Sequence, residues 1–170
     1  KIIFKKSGDF SVNKILVKKN RIELLNKNLI LIYTGQKRTA QDIAKTYVDK
    51  LKNVKEKYVR RILEYVDESE LILKNGDMND FGKLLHESWN EKKKLSPKIT
   101  NSNIDQLYNY AIKNGALGGK ILGAGGGGFF LFYVPHNKQK NFINKFNKFI
   151  NVPFKFSNTG SQIFFNSKKK

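Results

Sequence analysis

The sequence predicts an α+β fold, a ferredoxin-like layer of helices on one face of a mainly antiparallel sheet. Two observations carry this. The elements run in the order strand, several helices, strand-loop-strand, helix, strand pair, which differs from the strict alternation of a parallel α/β sheet. At 170 residues and 39% hydrophobic, the chain can also bury a real core, with length for one domain and a fraction of another. No internal repeat is visible.

Residues 1–28 carry two short strands, at 2–6 and 11–17, turned through Ser7-Gly8-Asp9, then a short helical or irregular piece from Ile22 to Leu25. A two-stranded hairpin is not stable alone, so this segment is expected to end something larger that begins upstream. The self-contained domain opens at Leu29-Ile30-Leu31-Ile32-Tyr33, a continuous apolar run suited to a strand buried on both faces. Thr39 is the expected cap of a helix in which Ala40, Ile43, Ala44, Tyr47, Val48 and Leu51 recur at helical spacing. A second helix spans about residues 54–74, with Val59, Ile62, Leu63 and Val66 on one face, and stops at Gly76. Asp77 caps a third, with Met78, Phe81, Leu84, Leu85 and Trp89 on one stripe; it ends near Leu95-Ser96-Pro97, because proline disfavours helix at the residue before it. Asn101 or Ser102 starts a fourth, burying Ile104, Leu107, Tyr108, Ala111 and Ile112 and closing at Gly115. Strands at 119–122 and 129–134 follow. A basic amphipathic helix at about 137–150 shows Phe142, Phe146, Phe149 and Ile150, and two last strands, 153–157 and 162–165, turn through Asn158-Thr159-Gly160.

Composition excludes several functions. No run of about 18 apolar residues is present, so no membrane span is expected. Without cysteine there is neither a disulfide framework nor a thiolate metal site, and His86 and His136 are the only imidazoles, so no metal is expected. His86, alone on its helix, is expected to make a structural hydrogen bond, and Trp89 to be core. The net charge of +19 raises nucleic acid as a partner. Against this, the excess is almost all lysine, spread over most segments, with arginine only at Arg21, Arg38, Arg60 and Arg61. No nucleic-acid role is expected; an anionic small substrate is compatible with the charge.

The chemistry concentrates at Gly123-Ala124-Gly125-Gly126-Gly127-Gly128. Five of these six residues are glycine, so the backbone can take positive φ and turn its N–H groups toward one point, as an anion cradle does. A tight hairpin turn is the alternative, since strand-like runs flank it. The dinucleotide fingerprint is excluded because the loop leads into a strand and not a helix. A Walker A loop needs Gly-Lys-Ser/Thr, whereas Gly128 precedes two phenylalanines. The protein-kinase signatures His-Arg-Asp and Asp-Phe-Gly are absent from the chain that follows.

One family does match. Lys120-Ile121-Leu122-Gly123 through Gly128 resembles the third motif of the GHMP kinases, the superfamily of galactokinase, homoserine kinase and mevalonate kinase. Leu84-Leu85-His86-Glu87-Ser88-Trp89, Lys92-Lys93-Lys94-Leu95-Ser96, Ile104-Asp105 and Gly115-Ala116-Leu117-Gly118-Gly119-Lys120 resemble the branch of D-glycero-D-manno-heptose 7-phosphate kinases, as does Tyr33-Thr34-Gly35 with Arg38. The resemblance implies an ATP-dependent, cytoplasmic sugar kinase acting on a sugar phosphate, with magnesium, and with residues 123–128 lining the cleft. Arg38, Thr34, Lys94, Ser96 and Lys120 become the substrate-binding candidates. It also implies that residues 1–28 trail from the N-terminal domain and 29–170 form the C-terminal domain. The family's Gly-Leu-Gly-Ser-Ser phosphate loop and catalytic Asp have no counterpart here, so no catalytic residue is expected in this chain. ATP and magnesium would be held mainly by an N-terminal half, the expected partner. Another GHMP kinase, a non-catalytic module on the half-fold and a homodimer are left open.

Overall fold

The computed structural model describes every residue except 38, 52, 53, 158, 161 and 163–170, and residue 40 by its backbone alone. Strands β1 (Ile2–Phe4) and β2 (Phe10–Val12) form an antiparallel hairpin. Helix α1 (Lys19–Asn28) runs without a loop into β3 (Leu29–Tyr33). Then come α2 (Ala40–Ala44), a 3-10 turn (Val48–Lys50), α3 (Glu56–Asn75), α4 (Met78–Lys93) and α5 (Ser102–Lys113). Strands β4 (Gly118–Ile121) and β5 (Phe129–Tyr133) flank the glycine loop, and α6 (His136–Lys145) follows. The α+β architecture therefore holds, with a central antiparallel sheet in the order β3-β5-β4.

Register divides the apolar residues between two faces. Ile30 and Ile32 lie opposite Phe132 and Phe130, and Ile121 opposite Phe130, so these share one face by the period of two. That face buries Trp89 of α4, Ile104, Tyr108 and Ala111 of α5, Phe142 of α6 and Phe146 at its C-terminal cap. Trp89 meets Phe130 edge-on at 5.6 Å, and Phe142 stacks on Phe146 at 4.3 Å, the offset and edge geometries that aromatic rings favour. On the other face Leu29 and Tyr133 pack with Leu25 of α1 and Met78 and Leu85 of α4. Helices thus reach both faces, where the sequence had suggested one.

Helix α4 lies against β4 because both backbones carry glycine at the contact. A Cβ on Gly118 would stand 2.0 Å from the Gly82 carbonyl oxygen, and one on Gly82 would stand 2.6 Å from the Tyr133 ring. The β3 edge is closed differently. The Tyr33 N–H donates to the Ile150 carbonyl at 2.9 Å, the Val152 N–H donates to the Leu31 carbonyl at 2.8 Å, and Ile32 bridges Asn151. The hydrogen bonds of this edge end at Val152, immediately before Pro153.

Several sequence expectations need correction. The strand expected at 153–157 is instead irregular; its ladder lies upstream, at 150–152. Its partner strand at 162–165 falls almost wholly outside the described residues. The helix expected from 40 to 51 breaks after α2, where the Thr46 hydroxyl back-bonds to the Ile43 carbonyl at 2.6 Å and to Ser96 at 2.6 Å. Thr39 precedes α2 but makes no side-chain cap, whereas Asp77 caps α4 through the Asn79 N–H at 3.0 Å. Helix α3 is rolled relative to its expected face: Ile62 and Tyr65 turn inward, while Leu63, 64% exposed, Val59 and Val66 face out. Two apolar stripes overlap on α3, and the one with the larger tyrosines has more area to bury.

Residues 1–28 clasp α3. Lys1 pairs with Asp67 and Glu70, and the Arg21 guanidinium donates to the carbonyls of Ile72, Leu73 and Gly76, capping the α3 C-terminus. The hairpin itself leaves Phe4 81% exposed.

The Gly82–Gly118 contact generates a prediction. Gly118→Ala should destabilise the protein by about 3 kcal/mol, the upper range for overpacking, because neither backbone can retreat without breaking its own helix or ladder. Urea denaturation measures this as a fall in midpoint, and an unchanged midpoint would refute the packing assigned to α4.

Candidate active-site cleft

The glycine loop leaves β4 at Ile121 and enters β5 at Phe129, with the Leu122 N–H donating to the Phe129 carbonyl at 2.9 Å. Two of its amides are spent inside the fold. The Gly126 N–H donates to the Ile99 carbonyl at 2.7 Å, and the Gly128 N–H to the Gln36 carbonyl at 2.9 Å. These contacts explain two of the glycines. A Cβ on Gly125, at φ 112°, would lie 2.8 Å from the Ile99 oxygen, and one on Gly127 would lie 2.6 Å from the Gln36 oxygen. Neither position admits another residue without displacing backbone.

Among the described residues, the amides of Gly123, Ala124, Gly125 and Gly127 have no hydrogen-bond partner. These residues, with Leu122, Gly128, Tyr33, Gln36 and Lys37, line a cleft of about 440 Å³. The loop is therefore divided. Some amides brace it to residues 36 and 99, and others are left to meet an anion.

The other candidates fall in distinct places. Thr34 holds the loop's far end: its N–H and hydroxyl both donate to the Gly128 carbonyl at 2.9 Å, and the hydroxyl accepts from the Gln36 N–H at 3.3 Å. With Gly35 and Gln36 it also lines an adjoining cavity of about 560 Å³, walled by Asn103, Gln106 and Tyr110. Lys120 stands in β4 two residues before the loop, and burial holds its ammonium below the usual lysine range. Lys94 and Ser96 are not brought to the cleft. Lys94 is exposed and pairs with Glu91 at 2.5 Å, while Ser96 is buried and shares a hydrogen bond with Thr46. Arg38 lies outside the described residues. Among the described residues no group of three or more His, Asp or Glu side chains is placed to hold a metal ion.

His86 bonds through Nδ1 to the Tyr108 hydroxyl at 2.6 Å and through Nε2 to the Asn90 amide at 3.0 Å. Burial pushes the Tyr108 phenol well above its ordinary range, so its hydroxyl keeps its proton and the bond to His86 is structural.

Sequence reasoning passed over four residues that the cleft uses. Gln36 and Ile99 act through backbone carbonyls, which no residue type announces. Lys37 lines the cleft but is one lysine in a lysine-rich chain. Lys92, on the last turn of α4, reaches the carbonyls of Gly123 at 2.5 Å and Ile121 at 3.4 Å. Its signal, a run of three lysines, does not stand out from a lysine-rich chain.

With this geometry in view, the comparisons with known proteins become specific. The chain is 31% identical over 138 residues to the D-glycero-alpha-D-manno-heptose 7-phosphate kinase of Campylobacter jejuni, spanning 81% of this chain and 41% of that enzyme. The mevalonate kinase of Methanococcus jannaschii superposes with TM-score 0.63 at 28% identity, covering 86% of this chain and 44% of its own. The D-glycero-D-manno-heptose 1-phosphate kinase of Bacteriodes thetaiotaomicron gives TM-score 0.63 at 22% identity, covering 91% and 41%, which shows a shared fold. The chain thus spans less than half the length of each of these relatives. Fold and loop together resemble a domain of the small-molecule kinases. Residues 69–152, just under half of the chain, match the family model of the GHMP kinases C terminal.

Lys92 generates the pH prediction. Burial, and secondly the charge of Lys120, pull its ammonium down from 10.5 to about 8. Between these values the unfolded chain binds a proton that the folded chain does not, so stability rises with pH across that window. The gain from pH 7.5 to 9.5 should be about 2 kcal/mol. Denaturation at both pH values should show that Lys92→Met removes most of this rise. An equal rise in both proteins would contradict the burial of Lys92.

Proposed function

We propose that the protein is the C-terminal part of an ATP-dependent sugar kinase. Its reaction moves the γ-phosphoryl group of ATP to the anomeric hydroxyl of D-glycero-D-manno-heptose 7-phosphate, giving the 1,7-bisphosphate. The observation that carries this is the 31% identity over 138 residues to the Campylobacter jejuni heptose kinase, in a chain whose glycine loop floors a cleft. Residues 1–28 would then trail from an N-terminal domain, with 29–170 the C-terminal domain. The exposed Phe4, Phe10 and Val12 of the hairpin support an N-terminal half as partner, since apolar surface of this kind marks an interface.

Phosphoryl transfer asks the protein chiefly for positioning and electrostatic stabilisation. The free amides of Gly123, Ala124, Gly125 and Gly127 fit phosphate oxygens, and Lys37 at the cleft wall adds a positive charge. When bound, magnesium ATP supplies the electrophilic γ-phosphorus and its charge neutralisation. The described residues offer it loop amides and no metal-ligand set, so magnesium is assigned to the N-terminal half. Arg38 is assigned to the sugar phosphate by the bidentate geometry of guanidinium. Thr34 is placed to fix the loop that faces it. Lys120 adds charge beside the loop. A cytoplasmic location accords with the proposed substrates, and among the described residues no helix is long and apolar enough to cross a membrane.

A second acceptor class is favoured by specific observations. The chain is 35% identical over 86 residues to a galactokinase of Dictyostelium discoideum, besides its likeness to mevalonate kinase. ADP release by the full-length protein, its N-terminal half included, with heptose 7-phosphate, galactose and mevalonate as acceptors separates the readings. Turnover should be highest with heptose 7-phosphate. Turnover on another acceptor alone would reassign the substrate, and none on any of the three would refute the kinase.

A further inference from the structure

Lys92 presents an anomaly. Its side chain is half-buried beside a second lysine, Lys120, yet no carboxylate pairs with it among the described residues. Its neighbours on α4 behave otherwise: Lys93 approaches Asp105 at 4.0 Å and Lys94 pairs with Glu91 at 2.5 Å. Burying a cation without a counter-charge is costly. What Lys92 gains is two backbone carbonyls, those of Ile121 and Gly123, at the root of the glycine loop.

The direction of those carbonyls has a consequence for the cleft. A trans peptide is planar, and its C=O and N–H point opposite ways. The peptide that joins Gly123 to Ala124 turns its oxygen to Lys92, so its N–H, on Ala124, points away from α4. The cleft lies on that side: residues 122–125 line it and no residue of α4 does. Gly123, at φ 76°, permits the peptide to take either orientation, since glycine has no Cβ to oppose a flip and nothing lies within 4 Å of where one would stand. The Ala124 methyl packs against the core, but among the described residues no other hydrogen bond holds this peptide, since the bonds to Ile99 and Gln36 act at Gly126 and Gly128.

We propose that Lys92 is a positioning residue, which grips the Gly123 carbonyl from behind and thereby presents the Ala124 N–H to a phosphate group in the cleft. This rests on the kinase reading for the identity of the phosphate, whether it belongs to the nucleotide or to the acceptor. Lys92 itself touches neither. Its charge, placed behind the loop, also makes the peptide dipole a better donor toward an anion.

The test is an amide-resolved NMR titration of the protein with pyrophosphate, and separately with a sugar phosphate lacking a nucleotide, for wild type, Lys92→Met and Lys92→Arg. In wild type the Ala124 amide should shift and saturate with at least one of the two, and the responding probe identifies the source. Lys92→Met should weaken that binding about tenfold, the effect of one charge-supported hydrogen bond, while the Phe130 and Phe132 amides keep their positions. Lys92→Arg should stay within about threefold of wild type, because its fork can hold both carbonyls. An Ala124 amide that responds to neither probe, or a Lys92→Met protein that binds as wild type does, would overturn the proposal and leave the kinase reading intact. Lys92-dependent binding at Ala124, when the full-length protein with its N-terminal half releases no ADP with any acceptor, would sustain the proposal and defeat the kinase reading. Should Lys92→Met fail to fold, the wild-type response of Ala124 and the Lys92→Arg affinity still decide.

Discussion

Two hydrogen bonds hold the working end of this molecule: Gly126 N–H to the Ile99 carbonyl, and Gly128 N–H to the Gln36 carbonyl. They join three segments that are distant in sequence, the turn after α4, the loop after β3 and the β4–β5 connection. Both depend on the absence of a Cβ at the preceding glycine, since a methyl at Gly125 or Gly127 would strike the accepting residue. The glycines serve close backbone approach first. Their freedom to present amides to an anion is what is left once the loop is anchored.

Everything around the loop is arranged to make that anchoring rigid. Ile99 is fully buried among Trp89, Ile104 and Phe130, so its carbonyl is fixed by the core. Gln36 is held by Thr34 on one side and by Asn101, which caps α5, on the other. The β4–β5 hairpin is locked between β3 and α4, where Gly82 and Gly118 bring backbones into contact. Lys92 closes the remaining side with a charge whose burial the chain tolerates because two carbonyls receive it. A loop held in this way loses little entropy when a ligand arrives, and preorganisation of this kind favours binding.

How much of this was legible in the sequence depends on which atoms do the work. β3 was readable to the residue, because five apolar residues in a row have one good home, the middle of a covered sheet. The bounds of α4 were readable from Asp77 and Pro97, and the glycine loop from its composition alone. The tethers were not readable, since carbonyl oxygens of Ile99 and Gln36 carry no side-chain signature. Helix α3 misled because two apolar stripes overlap on it, and tertiary packing chose the one bearing Tyr65. The final ladder was displaced for a related reason: apolar residues at 153–157 suggested a strand, while the backbone donors that pair with β3 precede Pro153. Lys92 was hidden by the lysine-rich background, in which one half-buried ammonium looks like the thirty-two other cationic side chains of Lys and Arg.

Backbone hydrogen exchange along the loop tests the central claim most directly, because the claim is about which amides are engaged. The account predicts that the Gly126 and Gly128 amides are protected to about the level of neighbouring β5 amides such as Phe130 and Phe132, while Ala124 and Gly127 exchange rapidly. Uniformly fast exchange from residue 123 to residue 128 would contradict it, showing the loop to be free of the tethers on which the cleft depends.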